Sequence, residues 1–150
     1  MKNLILILFL FFLNSCGYTS IYKSQKSQDF QINIINMIGD NEINNLIKNS
    51  LKLYTNNKSN IKYDISINSN YQKIIVSKNS AGVAIDYSLS VDTVISFNNE
   101  GKNNILDFNE NIIIKSNSNS FEQNEYEKSI KKNFASSIID KFIIKISNKK

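Results

Sequence analysis

The chain has 150 residues and a formal net charge of +5, from 18 lysines and 13 acidic residues, and it contains no histidine or arginine. The absence of histidine excludes histidine-based acid–base catalysis and histidine ligation of a metal, and the single cysteine excludes a disulfide within the chain. Heavy use of Asn, Ile and Lys indicates an AT-rich coding bias, so the lysine excess carries little functional weight.

The first segment of the chain predicts a signal peptide over residues 1–15. Lys2 precedes an uninterrupted run of Leu, Ile and Phe from Leu4 to Leu13, the pattern of a charged n-region and an apolar h-region. A membrane-spanning helix needs roughly 20 apolar residues, so this run is too short to be one. Leu13 and Ser15 fit the apolar and small positions of a bacterial lipobox ahead of Cys16. We therefore expect cleavage before Cys16 and acylation of that cysteine.

The chain that remains after this cleavage suits one domain. Residues 16–28 are mostly polar and predict a lipidated tether, and residues 29–150 predict a single folded domain. Gly17 follows the acylated cysteine, at the position where an aspartate retains many lipoproteins in the inner membrane. We therefore expect a lipid-anchored protein of the outer membrane that faces the periplasm.

The start of the domain predicts a strand followed by a helix. Phe30, Ile32 and Ile34 alternate with polar residues, which is the period of a half-buried strand. Asp40 then predicts a helix N-cap, and apolar residues recur at helical spacing over about residues 41–55.

Residues 61–115 predict an antiparallel meander of three strands, because apolar and polar residues alternate through them and Gly82 and Gly101 mark turns. Asp86 and Asp92 should lie on the solvent-facing side of the middle strand. The opposite, apolar face should pack on the helices and comprises Ile61, Tyr63, Ile65, Val83, Ile85, Tyr87, Leu89 and Val91.

The C-terminal segment predicts a long amphipathic helix. Tyr126, Ile130, Phe134, Ile138 and Phe142 recur every four residues, with acidic residues near the start and lysines near the end, as the helix dipole favours. The element order is then β-α-β-β-β-α, and each helix has one apolar face. This order predicts an α+β fold, a two-layer α/β sandwich whose four-stranded, mostly antiparallel sheet carries both helices on one face.

Catalytic and cofactor-binding patterns are missing from the sequence. The four glycines are scattered singly, and Asp86 and Asp92 are about 20 Å apart along one strand, too far for a glycosidase-type carboxylate pair. We expect no catalytic residue, metal or cofactor, and no nucleic-acid partner, because no basic stripe with interleaved aromatic residues is present. Lys73, Lys78 and Lys102 flank the two meander turns and could hold phosphates as point charges, although solvated loop charge is the simpler explanation.

Two parts of the sequence resemble a known family. Cys-Gly-Tyr at residues 16–18, followed by Ile21 and Tyr22, resembles the mature start of the lipopolysaccharide-assembly lipoprotein family LptE, also called RlpB. The stretch from Asp86 through Phe97 to Gly101 resembles the central hairpin of that family, and the element order across the mature chain is similar to the family's.

The resemblance implies a non-enzymatic role. Members of the family plug the lumen of the outer-membrane β-barrel LptD, help that barrel to assemble, and bind lipopolysaccharide on its way to the outer leaflet. The same partners are implied here, with Lys73, Lys78 and Lys102 as the residues available to lipopolysaccharide phosphates. The alternatives are an auxiliary lipoprotein of another envelope lipid transporter, a cell-wall-binding structural lipoprotein, and a small envelope hydrolase.

Overall fold

The computed structural model describes residues 30–99 and 101–148, and the predicted order β-α-β-β-β-α is confirmed. The signal peptide, Cys16 and the tether lie outside the described residues. The elements are β1 (Phe30–Gly39), α1 (Asn41–Thr55), β2 (Ile61–Lys78), β3 (Ala84–Asn99), β4 (Lys102–Lys115) and α2 (Ser120–Ser147).

The four strands form one mixed sheet in the order β1-β2-β3-β4. The pairs β2–β3 and β3–β4 are antiparallel, because short turns connect them, whereas β1 and β2 are parallel. The parallel pair follows from the connection through α1, which returns the chain to the end of the sheet where β1 began. The expectation of a mostly antiparallel sheet with two helices is therefore confirmed, with β1 as the parallel member.

The junction between β1 and α1 is tightly constrained. Gly39 has a φ of +98°, which turns the chain away from the sheet. The backbone N–H of Asp40 then donates to the carbonyl of Ser69 at 2.9 Å, and Asp40 Oδ1 accepts from the N–H of Ile43 at 2.8 Å. Ser69 Oγ donates to Asn44 Oδ1 at 2.9 Å inside the core. The predicted N-cap at Asp40 is confirmed.

Both helices pack on one face of the sheet and enclose a single apolar core. A series of aromatic rings crosses this core, with successive centroids 5.6–6.5 Å apart. Such edge-to-face pairs each add about 0.5–1.5 kcal/mol to the burial of the rings. The rings belong, in order of contact, to Phe30, Tyr63, Phe97, Phe142 and Phe108.

The predicted helix-facing residues are buried only where the helices reach. Tyr63, Ile65, Leu89 and Val91 are buried as expected, and Ile61 and Tyr87 are partly buried. The prediction is wrong for Val83 and Ile85, which are 60% and 45% exposed. They lie where the β2–β3 hairpin extends past the helices. Apolar and polar residues still alternate there, but no described helix covers the apolar side chains.

Candidate functional site

The face of the sheet opposite the helices carries no covering element among residues 30–99 and 101–148. We call this surface the outer face, and every one of its residues is exposed or only partly buried. It is defined by the outward positions in the middle of three strands: Asp64, Ser66, Asn68, Asn70, Gln72 and Ile74 on β2; Ser88, Ser90, Asp92, Val94, Ser96 and Asn98 on β3; and Asn103, Ile105, Asp107, Asn109, Asn111 and Ile113 on β4. Lys62, Asp86 and Lys115 lie at the ends of the same face.

Short amide, hydroxyl and carboxylate side chains dominate the outer face. They bond across strands, as when Asn109 Nδ2 donates to Asp92 Oδ1 at 2.6 Å and Asn98 Nδ2 donates to Asn103 Oδ1 at 2.8 Å. Asp86 lies on the same side of β3 and accepts from Ser77 Oγ, so the predicted solvent-facing placement of Asp86 and Asp92 is confirmed. The surface therefore offers many donors and acceptors but no enclosed cavity.

Isolated apolar side chains interrupt this polar surface. A bulge in β1 leaves Ile35 without a partner on β2, and its side chain is 62% exposed. Ile105, 65% exposed, lies on the far side of Ser66 and Ser96, and these residues line one shallow, open depression. Such a shape suits contact with a flat partner rather than capture of a small molecule.

The end of the β2–β3 hairpin, residues 74–86, projects beyond the helices, and we call it the hairpin tip. Its apolar side chains are 45–60% exposed, and Asn79 Oδ1 accepts from the N–H groups of Ala81 and Val83, which orders the turn. The feature of the sequence that indicates this exposure is the run of three apolar residues at 74–76. The run breaks the alternation, so not all three side chains can face the core. The exposed apolar residues are Ile74, Ile75, Val76, Val83 and Ile85.

The structure does not bring the three predicted lysines together. Lys73 forms an ion pair with Glu127 of α2, and its ammonium lies 4.3 Å from the ring centroid of Tyr87. Lys78 is exposed on the hairpin tip, whereas Lys102 follows the turn at the other end of β3. The 16 residues of β3 separate those two ends by about 50 Å, at the usual strand rise of ~3.3 Å per residue. Lys78 and Lys102 therefore cannot contact one small ligand together.

One tyrosine titrates far from its usual range, and it is not poised for catalysis. Burial, followed by the charges of Glu127, Glu42 and Asp40, raises the pKa of Tyr71 to about 12. Lys131 Nζ lies 4.2 Å from the centroid of the same ring. The phenol therefore stays protonated at neutral pH, where it cannot act as a base or nucleophile.

Within the part of the chain that the structure describes, no group of three or more acidic or cysteine side chains is placed to hold a metal ion. In the same residues, neither helix combines the length and the apolar character that crossing a membrane requires. What the described residues do present is the outer face, the hairpin tip and the two edges of the sheet.

A four-stranded sheet with one bare face and two helices on the other is a fold shared with bacterial lipoproteins of known structure. The chain is similar to rare lipoprotein B from Shewanella oneidensis, with a TM-score of 0.56 at 14% identity over 77% of this chain and 98% of that one. It is also similar to the uncharacterized lipoprotein B from Nitrosomonas europaea, with a TM-score of 0.53 at 10% identity over 80% of this chain and 86% of that one.

These likenesses show the fold, and they confirm the predicted resemblance to the RlpB family at that level. No protein-family model matches the sequence, and no curated protein matches it.

Proposed function

We propose that this chain is an outer-membrane lipoprotein that plugs the LptD β-barrel and assists its assembly in lipopolysaccharide transport, with no catalysis of its own. The outer face carries this proposal. It is a surface of mostly short polar side chains that no other described element covers, on strands of 14–18 residues. A protein that fills a barrel must make many modest polar contacts, and the interior of large outer-membrane barrels is polar.

The dimensions of the sheet also support a plug. Its three long strands extend about 45–60 Å, at ~3.3 Å per residue, whereas the apolar band of an outer-membrane barrel is about 25 Å tall. A sheet of this length standing in the lumen could contact the barrel wall across the whole band and still project a tip beyond it. The hairpin tip would be the projecting end.

The anchor is the second part of the proposal. A Cys16 that carries two or more acyl chains would hold the domain stably at the membrane, whereas one chain would hold it only marginally. Mass spectrometry of the mature N-terminus tests this directly. We expect an acylated Cys16 as the first residue, and an unmodified cysteine or a retained Met1 would contradict the anchor.

The hairpin tip is the best-placed contact for lipopolysaccharide in this proposal. Exposed aliphatic side chains beside Lys78 offer acyl chains an apolar surface and phosphates a cation. Lys73 contributes less, because Glu127 already neutralises its charge, and Lys102 lies at the opposite end of the sheet. Lys78→Ala should weaken binding by about 1 kcal/mol or less, as expected for one exposed charge, and Lys102→Ala should weaken it less.

Depletion in the native host is the decisive experiment. Loss of the protein should leave the barrel poorly assembled and the cell surface short of lipopolysaccharide. Normal barrel levels with normal surface lipopolysaccharide would contradict the proposal and would favour the role of auxiliary lipoprotein in another lipid transporter.

A matched pair of variants tests whether the outer face is the contact surface. Ser90 lies at the centre of the outer face and Ser129 is exposed on α2, so a tryptophan at either position adds the same bulk to a different side of the molecule. Ser90→Trp should reduce co-purification with the barrel, and Ser129→Trp should leave it unchanged. An equal effect of both substitutions would contradict docking through the outer face.

A further inference from the structure

The two edges of the sheet are protected differently. The β1 edge is interrupted by a bulge, and two of its carbonyls are occupied by side chains: Asn57 Nδ2 donates to Phe30 O and Asn44 Nδ2 donates to Ile38 O, both at 3.1 Å. β4, at the other edge, pairs with β3 in one unbroken register over 14 residues. Its interior has only Asp107 and Glu110 as charged residues and no lysine or proline, the residues that commonly block edge pairing.

The pairing of β4 with β3 determines which residues of β4 direct their backbone N–H and C=O groups away from β3. The N–H of Ser116 donates to the carbonyl of Ile85 at 2.8 Å, and the register continues from Asp86 opposite Lys115. Because hydrogen-bonding residues alternate along an antiparallel pair, the even-numbered residues of β4 direct their backbone groups toward β3. The odd-numbered residues from Asn103 to Ile113 therefore direct their N–H and C=O groups to the edge that no other strand of the described residues pairs with.

We propose that β4 pairs antiparallel with β4 of a second copy of this chain, with Asn109 opposite Asn109 on the twofold axis. This register pairs odd with odd residues, so the outward N–H and C=O groups of the two edges meet. It also keeps the outer faces of both copies on one side, which makes a continuous eight-stranded sheet.

The side chains of β4 are self-complementary in this register. Ile105 and Ile113, 65% and 63% exposed in one copy, face each other on the outer side, and Leu106 faces Ile112 on the helix side. Asp107 faces Asn111, so no like charges lie opposite one another. Cross-strand apolar pairs of this kind contribute about 0.2–1 kcal/mol each, and twofold symmetry makes each pair occur twice.

Three neighbouring registers also bring the outward N–H and C=O groups of the two β4 strands together, but their side chains pair less favourably. Centring the pair on Asp107 or on Glu110 places a carboxylate directly opposite its own copy, which is destabilising. Centring it on Phe108 places Ile105 opposite Asn111 and Ile113 opposite Asn103, so every exposed isoleucine meets an amide. Of these registers, the one centred on Asn109 is the one that pairs Ile105 with Ile113 and places no like charges opposite one another.

The helix side supplies charge complementarity. In the proposed register Phe108 faces Glu110 of the second copy, and Lys145 Nζ of α2 lies 4.9 Å from the centroid of Phe108. The lysine is therefore placed to approach that carboxylate. Within its own copy, Glu110 Oε1 already accepts from Ser137 Oγ at 2.8 Å and pairs with Lys141 Nζ at 2.5 Å, so Lys145 of the second copy would be a second cation beside a carboxylate that is already paired.

Engineered cysteines test the pairing in the full acylated chain. Asn109→Cys puts two thiols on the twofold axis, where opposed Cα atoms are about 5.5 Å apart and within disulfide reach. Asn111→Cys is the matched control, because its copies are offset by four residues, about 13 Å. After oxidation with diamide we expect at least about tenfold more cross-linked homodimer for position 109 than for 111, since only the former lies within disulfide range. The parent chain, whose only cysteine is Cys16, gives the background.

Ile113→Lys gives an independent measurement without a disulfide. The side chain is already 63% exposed, so the substitution should not unfold the domain, but it removes two apolar pairs from the interface. Sedimentation of the parent chain in detergent should show a concentration-dependent dimer that the variant loses, while circular dichroism stays unchanged. A monomeric parent at every concentration, equal cross-linking at 109 and 111, or a disulfide from 109 to another protein would overturn the proposal. None of these results depends on LptD, so the plug function is tested separately.

Discussion

Gly39→Ala probes the junction that holds β1, α1 and β2 together. At Gly39, with φ +98°, a Cβ atom would lie 1.8 Å from the carbonyl oxygen of Ser69 and 2.8 Å from its carbonyl carbon. The obstacle is backbone of the neighbouring strand, so no side-chain rotation relieves it. The same carbonyl accepts the Asp40 N–H, so moving it also disturbs the helix cap.

Three effects contribute to the loss of stability on Gly39→Ala. A left-handed conformation costs a non-glycine residue about 1–2 kcal/mol. Weakening the backbone hydrogen bond between Asp40 and Ser69 costs about 1 kcal/mol, and disturbing the N-cap costs about 1 kcal/mol more. We therefore expect Gly39→Ala to lower the free energy of unfolding by about 3–4 kcal/mol, a large part of the 5–15 kcal/mol typical of a domain.

Urea unfolding followed by circular dichroism measures this loss, and Gly82→Ala is the matched control. Gly82 also has a positive φ, +79°, but a Cβ there meets nothing within 4 Å, so only the conformational cost of about 1–2 kcal/mol applies. At a typical slope of 1–3 kcal/mol per M, the Gly39 variant should lose at least about 1 M in its urea midpoint. Equal losses in the two variants would refute the steric argument.

Two further predictions concern the core and its titration. Leu89→Ala, in the fully buried centre of β3, should cost about 2–5 kcal/mol, whereas Ile85→Ala, at a position 45% exposed, should cost less than half as much in the same urea assay. Tyr71 should make stability fall with alkaline pH. Its pKa is about 12 in the folded chain and about 10 unfolded, so the stabilisation is complete below pH 10 and is lost as pH rises to about 12. Tyr71→Phe should remove that part of the alkaline loss, and an unchanged profile would contradict the assignment.

The sequence predicted the fold well wherever strands with alternating apolar and polar residues are covered by a helix. From Tyr63 to Ile67 and from Leu89 to Phe97, each apolar residue of the alternation faces the core. Alternation shows which residues share a face, but it does not show where the covering helices end. The prediction that Val83 packs on the helices is wrong for that reason. β1 was predicted only as a short strand from Phe30, because the bulge at Ile35 breaks the pattern.

The candidate site was less predictable, because it depends on contacts between distant parts of the chain. Lys73 and Glu127 are 54 residues apart, and only the packing of α2 beside the hairpin neutralises that lysine. The distance between Lys78 and Lys102 likewise follows from the length of β3, which two turn lysines do not reveal by themselves. The polar alternation did predict a wet sheet face, and the prediction that both helices pack on the other face already implies that no helix covers it.

The division of charge between surfaces links composition to the proposed function. The middle of the outer face carries Asp64, Asp92 and Asp107, and lysines occur only at its ends, at Lys62 on β2 and Lys115 on β4, although the chain as a whole has a net charge of +5. Its capacity to bind a barrel wall therefore comes mainly from asparagine and serine, whose hydrogen bonds are not screened by salt in the way that exposed ion pairs are. Lys78, by contrast, lies on the hairpin tip, where an anionic lipid would be held by charge. Barrel association should then tolerate high ionic strength while lipid contact weakens, because the two surfaces use different physical interactions.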